Sequence, residues 1–149
     1  MGLTFVDTNI IAYARDSRLP TKRSLAEAWL MALAQRREAR ISSQVLVEFY
    51  SVAIHPQKLA LPAASAQADC RALQAWNPIP PDLALFESAW SLQDRHDFSW
   101  WDALIVAAAL RQECSILLSE DMQHDLVIDN RLTIINPFAS DAPQPPATS

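Results

Sequence analysis

The stretch Phe5-Val6-Asp7-Thr8-Asn9 (FVDTN) places a carboxylate, a hydroxyl and an amide at the end of a short apolar run that is typical of a buried β-strand. A second junction of this kind occurs at Ser119-Glu120-Asp121, which follows the apolar run 115–118. In parallel α/β sheets the carboxyl ends of the strands share one edge, where ligands usually bind. The sequence therefore predicts that Asp7 and Asp121 lie at the same edge of one sheet.

The remainder of the chain alternates apolar runs with longer segments of helical spacing, which predicts an α/β fold with a central, mostly parallel sheet covered by helices. The predicted strands are 3–6, 40–41, 77–79, 115–118 and 132–135, and the predicted helices are 22–37, 44–54, 62–75, 82–95 and 99–110. A chain of 149 residues is about the length of one domain. We predict a domain at 1–137 and a Pro-rich, disordered tail at 138–149.

Composition limits the classes of protein to which the chain can belong. The 12 Lys and Arg residues against 17 Asp and Glu residues give a net charge of −5, which argues against a polyanionic partner. No apolar run approaches the roughly 20 residues of a membrane span, and the N-terminus lacks the features of a signal peptide, so we expect a soluble cytoplasmic protein without membrane contact. Cys70 and Cys114 lack a metal-ligand spacing and are expected to be reduced core thiols, and the single glycine, Gly2, excludes glycine-rich phosphate-binding loops.

Two further acids join Asp7 and Asp121 as candidate metal ligands. Asp102 lies in the first turn of the predicted helix that leads into the run 115–118, and Glu48 borders an apolar helical stripe. No nearby Lys or Arg is an obvious counter-charge for all four, and carboxylates within a few Å repel unless a cation lies among them. A hard divalent cation, Mg²⁺ or Mn²⁺, fits this oxygen donor set and leaves room for waters and substrate phosphate oxygens.

Each acid also has a purely structural interpretation. Asp7 could cap the helix that follows it, and Asp102 could form a capping box with Ser99. Asp121 could be a turn residue after a strand, and Glu48 could be a solvated helix acid. The residues taken singly leave these alternatives open.

Other polar and aromatic residues are weaker candidates for a site. The three histidines, His55, His96 and His124, are scattered without a metal-binding spacing, so they are interpreted as surface or core residues. Trp100 and Trp101 are interpreted as core and helix-entry packing, with the alternative that one ring lines an RNA groove.

Four segments, FVDTNIIAY, VLVEFY, WWDALIVAAA and ILLSED, together resemble the PIN domain family and, within it, the VapC-type toxins of bacterial type II toxin–antitoxin pairs. The resemblance covers residues 3–136. It implies a three-layer α/β/α PIN-like fold with a central, mostly parallel sheet. It also implies a metal-dependent endoribonuclease that uses Mg²⁺ or Mn²⁺ to hydrolyse RNA phosphodiester bonds, in tRNA or rRNA.

The resemblance assigns six catalytic residues by their position in these segments. Asn9 matches the amide that orients the first aspartate, and Ser119 matches the hydroxyl near it. In many members of the family a glycine stands where this chain has Asp125. The acidic residues implied as the metal site are Asp7, Glu48, Asp102 and Asp121.

The resemblance further implies a cognate antitoxin, which inserts a segment over the active site, and a homodimer. Two other functions remain as alternatives. A phosphatase of the haloacid dehalogenase type needs a second acid two residues after the first, but that position is Asn9. A non-catalytic PIN-like module that binds RNA or protein is disfavoured by the four intact acids, since decayed copies often lose them.

Overall fold

The strands form a single five-stranded sheet in a computed structural model that describes residues 2–148. Their order in the sheet is β2-β1-β3-β5-β4, in which β4 pairs antiparallel with β5 and all other pairs are parallel. This arrangement confirms the α/β class with a central, mostly parallel sheet flanked by helices. The strands are β1 (Leu3–Val6), β2 (Ala39–Arg40), β3 (Cys114–Leu118), β4 (Val127–Ile128) and β5 (Leu132–Ile135).

Six α-helices and one 3₁₀ turn connect the strands within residues 2–148. The most apolar of them, α6, buries every residue from Ala103 to Ala109, as expected for a helix without a polar side. It packs against α5 and β3. The helices are α1 (Thr8–Tyr13), α2 (Pro20–Arg36), α3 (Ser43–Ile54), α4 (Ala63–Ala72), α5 (Leu83–Arg95) and α6 (Trp100–Arg111), and the 3₁₀ turn is Leu73–Trp76.

Two helix boundaries differ from the predicted ones because of proline chemistry. Helix α2 begins at Pro20, two residues before the predicted start. Proline is tolerated there because a backbone N–H in the first turn has no helical partner, so its absence costs the helix nothing. Pro62 was predicted inside the first turn of α4, but it precedes the helix as its N-cap. The predicted helix to residue 75 is divided, since α4 ends at Ala72 and a 3₁₀ turn follows.

The strand predicted at 77–79 is wrong, and one strand was missed. Asn77 has a φ of 53°, outside the extended region, and Pro78 has no N–H to donate, so only an isolated bridge between Ile79 and Ser42 forms. Strand β4 has two residues, too few for an alternating pattern to be recognised.

Seven non-glycine residues adopt the left-handed backbone conformation that favours glycine. Asp125, at the position where the resemblance expects a glycine, has a φ of 67°. Aspartate tolerates this conformation better than most residues do, so the departure preserves the turn at some energetic cost. The others are Arg37, Ala60, Asn77, Glu113, Asp129 and Asn130.

The two cysteines and the start of the segment after β5 contact the core of the domain to different extents. Both cysteines are free thiols; Cys114 is buried in the core as predicted, whereas Cys70 is only partly buried and packs against the core from its edge. Phe138, at the start of the predicted tail, packs edge-on against Tyr13 with ring centroids 5.1 Å apart. The ends of the predicted domain and tail, Met1 and Ser149, lie outside the described residues. No helix within residues 2–148 combines the length and apolar character needed to cross a bilayer.

Candidate active site

Asp7 and Ser119 become neighbours because their strands are adjacent and parallel. Val6 and Leu118 are paired at the ends of β1 and β3, and the Asp7 N–H donates to the Leu118 carbonyl at 3.0 Å. The Ser119 hydroxyl donates to Asp7 Oδ2 at 2.8 Å. The predicted meeting of the two strand ends at one edge of the sheet is thus confirmed.

Asp7 serves as a helix cap and also faces the cavity beside it. Its Oδ1 accepts the Thr8 N–H at 2.8 Å and caps α1, as the structural interpretation anticipated. The residue is buried, with 7% of its surface exposed. Burial raises the pKa of Asp7 to about 7, with a further rise from the charges of Glu48 and Asp102, against the lowering effect of its hydrogen bonds.

Asn9 connects the two strand ends through both the nitrogen and the oxygen of its side-chain amide. Its Nδ2 donates to Asp121 Oδ2 at 3.1 Å and, at the longer distance of 3.5 Å, to Asp7 Oδ2. Its Oδ1 accepts the Glu120 N–H at 3.2 Å. Because this position donates hydrogen bonds to carboxylates, it does not serve as the second acid that a haloacid dehalogenase-type phosphatase needs.

Glu48 reaches the cavity from α3, which packs against α1. Its Oε1 accepts hydrogen bonds from Gln44 Nε2 at 3.2 Å and from Thr8 Oγ1 at 3.4 Å. Burial raises the pKa of Glu48, and the charge of Asp102 adds to the rise. Thr8 and Gln44 were not among the predicted site residues, although Thr8 lies within the FVDTN stretch.

Asp102 is held at the first turn of α6. Its backbone N–H donates to Ser99 Oγ at 3.1 Å, which is one half of a capping box. Among the described residues the reciprocal bond from the Ser99 N–H to the Asp102 carboxylate is absent, and that carboxylate lines the cavity instead. Burial raises the pKa of Asp102, as does the charge of Asp121.

The four acids and Asn9 line one cavity of about 360 Å³, which we call the acid cavity. Two cationic side chains also line it, Arg18 and Lys58. Arg18 is already paired with Asp16, whose two oxygens lie 2.9 Å from the guanidinium nitrogens. None of the four acids forms a salt bridge in the part of the chain that the structure describes, so their charge is uncompensated.

A sequence model of the PIN domain family matches residues 4–127, which is most of the chain. The chain belongs to the PIN domain family. No curated protein matches its sequence.

Several solved structures share the fold of this PIN domain at low sequence identity. A toxin–antitoxin complex from Klebsiella pneumoniae is 20% identical, with a TM-score of 0.62 over 91% of this chain and 98% of that chain. VapC20 from Mycobacterium tuberculosis, a toxin that cleaves the sarcin-ricin loop, is 20% identical, with a TM-score of 0.52 over 76% and 86%. VapBC2 from Rickettsia felis, bound to promoter DNA, is 19% identical, with a TM-score of 0.58 over 90% and 99%.

The donor set of the acid cavity suits Mg²⁺ or Mn²⁺ in its chemistry. It consists of carboxylate oxygens that form no salt bridge within residues 2–148, and oxygen ligands of this kind are those that hard divalent ions prefer. Within residues 2–148, however, no three of its carboxylates bring ligand atoms within 4.8 Å of one another. Two ligands of one Mg²⁺ lie at most about 4.2 Å apart. The side chains must therefore rotate inward for three of them to hold one ion.

The group that does meet this spacing lies elsewhere in the chain. It comprises His124, Asp125 and Asp141, which we call the tail cluster. His124 Nδ1 accepts the Asn136 N–H at 2.9 Å, so in neutral histidine the proton lies on Nε2. That nitrogen lies 3.1 Å from Asp141 Oδ1 and 3.4 Å from Asp125 Oδ2. A metal would need the Nε2 lone pair, so this geometry favours contact of the Nε2 N–H with the two carboxylates over a metal site.

Trp101 differs from its predicted place in the core. Its neighbour Trp100 stacks on Trp90 with ring centroids 6.2 Å apart, whereas Trp101 is 61% exposed. Trp101 lines both the acid cavity and an adjoining apolar groove of about 770 Å³. Its carbonyl accepts from Gln44 Nε2 at 3.3 Å, which links α6 to α3 beside Glu48.

Proposed function

We propose that this PIN domain is a VapC-like, metal-dependent endoribonuclease that hydrolyses RNA phosphodiester bonds, in tRNA or rRNA, with Mg²⁺ or Mn²⁺. The observation that carries the proposal is the convergence of four carboxylates, from four separate segments, on one cavity without a paired cation among residues 2–148. Uncompensated buried carboxylates are costly, and a divalent cation is the partner that their oxygen chemistry suits. The family membership and the toxins among the similar structures support the same activity.

The proposed roles follow from how each side chain is held. Asp7, Asp102 and Asp121 would hold the ion directly, and Glu48 would act through a water or position the attacking water. A bound Mg²⁺ or Mn²⁺ supplies the charge that activates a water for in-line attack and stabilises the leaving oxygen. Asn9 orients two of the ligands, because its Nδ2 donates to both Asp7 and Asp121.

The burial of Asp7 links this chemistry to pH. With a pKa of about 7, Asp7 is partly protonated at neutral pH and must release its proton before its carboxylate can hold a cation. Ser119 and Thr8 donate to the ionised form and so favour that release. Cation affinity is therefore expected to weaken as the pH falls below 7.

The net charge of −5 is compatible with an RNA substrate on this proposal. Lys58 and Arg18 lie on the cavity wall, where they can contact phosphates beside the cleaved bond. If phosphate contacts dominate, RNA affinity falls steeply with salt. A flat salt response would count against RNA as the substrate.

We further propose a cognate antitoxin, a homodimer and a cytoplasmic location, where the RNA substrate lies. Two of the similar structures are toxin–antitoxin assemblies. The apolar groove beside the acid cavity exposes Val47 and Trp101 and is a suitable surface for an apolar segment of such a partner. The reading frame directly upstream of the gene is where we expect the antitoxin.

The decisive experiment compares RNA cleavage by the wild type and by Asp102→Asn in Mg²⁺, with total bacterial RNA as substrate and sequencing of the new RNA ends. Loss of a charge at the reacting centre should lower the rate by at least about 10²-fold. Asp94→Asn is the matched control, since Asp94 is an exposed helical acid that does not line the acid cavity. RNA binding without cleavage by the wild type, in either Mg²⁺ or Mn²⁺, would instead favour the non-catalytic module.

A further inference from the structure

A second group of side chains holds the loop that carries Asp121, and one of them, Tyr13, also lines the acid cavity. Glu120 turns away from the acid cavity, and its two carboxylate oxygens accept from the Tyr13 hydroxyl and the Lys22 ammonium. The Lys22 Nζ also lies 4.8 Å from the centre of the Tyr13 ring and 5.2 Å from that of Phe138. We call Tyr13, Lys22 and Glu120 the loop clamp.

The clamp is more than a solvated surface ion pair. The Lys22 and Glu120 side chains are 38% and 21% exposed, and aromatic rings cover the ammonium on one side. The hydrogen bond with Glu120 raises the pKa of Lys22, so the ammonium keeps its charge at neutral pH. Burial, followed by the hydrogen bond to Glu120, raises the pKa of Tyr13, which keeps its hydroxyl a donor.

Backbone hydrogen bonds of Glu120 and Asp121 also restrain the loop that carries Asp121. The Glu120 N–H donates to Asn9 Oδ1 at 3.2 Å, and the Asp121 N–H donates to Ser119 Oγ at 3.3 Å. Asp121 itself is exposed, and its carboxylate has a single hydrogen bond among the described residues, from Asn9. The position of the Asp121 carboxylate therefore depends on how firmly its loop is held.

We infer that Tyr13, Lys22 and Glu120 are positioning residues that hold Asp121 at the acid cavity and thereby raise its contribution to divalent-cation binding. This inference rests on the proposed function, because it needs Asp121 to be a ligand. A clamp that acts through Asp121 changes cation affinity and has little effect on a variant that already lacks the Asp121 carboxylate.

The test is Mn²⁺ titration of the metal-free protein, followed by the electron paramagnetic resonance signal of free Mn²⁺. Lys22→Met removes the charge pair but keeps the apolar stem against the rings, and it should weaken Mn²⁺ binding by about 10-fold, as for loss of an outer-shell partner. Lys22→Arg keeps the charge and should restore most of the affinity. Glu38→Gln is the matched control, since it breaks a similarly enclosed pair with Arg36 that does not line the acid cavity.

A double-mutant cycle separates positioning from a general loss of stability. In the Asp121→Asn background Lys22→Met should have almost no further effect on Mn²⁺ affinity, because both changes act on the same ligand. An equal loss in both backgrounds would overturn the inference. Tyr13→Phe, which removes one hydroxyl, provides a milder second variant if Lys22→Met unfolds.

The outcomes also distinguish this inference from the proposed function. If Asp121→Asn weakens Mn²⁺ binding but Lys22→Met and Tyr13→Phe do not, the clamp is overturned and the nuclease proposal stands. If the wild type binds no Mn²⁺, the proposed function and the clamp are overturned together.

Discussion

The acid cavity and the tail cluster both gather acidic side chains, and they differ in what compensates the charge. In the tail cluster the carboxylates of Asp125 and Asp141 are exposed to water and contact His124. In the acid cavity the carboxylates are wider apart and without a paired cation in residues 2–148, and all of the four acids except the exposed Asp121 are partly or fully buried. Burial and mutual repulsion there raise the pKa values of Asp7, Glu48 and Asp102. Uncompensated burial, more than close spacing, marks the candidate metal site of this molecule.

The largest effect is expected for Asp7→Asn in metal-free protein. The pKa of Asp7 rises from 3.8 unfolded to about 7 folded, so the folded state binds the proton more tightly and the free energy of unfolding falls as the pH rises between these values. Asparagine carries no charge and still caps α1, so at pH 8 the variant should be more stable by up to about 4 kcal/mol.

Urea unfolding with EDTA at pH 4, 6 and 8 measures this difference. The advantage of Asp7→Asn over the wild type should grow from pH 4 to pH 8, whereas an exposed-acid control, Asp94→Asn, should show no such growth. A constant difference across the three pH values would show that Asp7 is not the group whose charge is penalised by burial.

The next largest effect concerns where Mn²⁺ binds. Asp102→Asn should weaken Mn²⁺ binding by more than about 10-fold, because loss of an outer-shell partner alone weakens metal binding by about 10-fold to 100-fold. His124→Asn and Asp141→Asn, in the tail cluster, should leave both the affinity and the number of bound ions unchanged. Calorimetric titration checks both statements. Loss of a bound ion in either tail-cluster variant would show that the tail cluster, and not the acid cavity alone, binds Mn²⁺.

A smaller effect tests the structural role assigned to His124. In His124→Ala the Asn136 N–H loses its acceptor, which should lower the free energy of unfolding by about 1 kcal/mol. His124→Asn keeps an acceptor at a similar distance from the backbone and should recover most of this loss. Chemical denaturation measures both, and an equal loss in the two variants would argue against the hydrogen bond as the cause.

The smallest effect is expected for Asp125→Gly. Glycine removes the steric cost of a φ of 67° but adds chain entropy to the unfolded state, so a gain of about 0.5 kcal/mol remains. Ala68→Gly, on the exposed side of α4, is the control and should lower stability by about 1 kcal/mol. Unchanged Mn²⁺ binding in Asp125→Gly would agree with a structural role for the tail cluster, and weaker binding would contradict it.

Sequence patterns predicted the elements that local chemistry decides. The bounds of β1 and β5 match the predicted strands, because each is an apolar run flanked by polar residues. The shared edge of Asp7 and Asp121 followed from the order of strands and helices, since right-handed crossovers bring parallel strand ends together. The two-residue strand β4 and the exposed place of Trp101 could not be predicted, because they depend on what packs beside them.

The loop clamp shows why part of the site could not be predicted from the sequence. Glu120 meets Tyr13 across 107 positions of the chain and Lys22 across 98, and none of the three lies in a recognisable spacing with the others. The same applies to Thr8 and its bond to Glu48, which spans 40 positions. Pairings of this kind appear only when the helices have packed on the sheet.

The amino-acid sequence by itself determined most of the strands and helices, which acids follow strand ends, and the family to which the chain belongs. Only the tertiary structure decided which charges are compensated: Glu120 pairs with Lys22, whereas Asp7 is buried among other carboxylates. The physical reason is that strand and helix formation depends on neighbours along the chain. Desolvation and Coulomb energies depend on distances that exist only after packing.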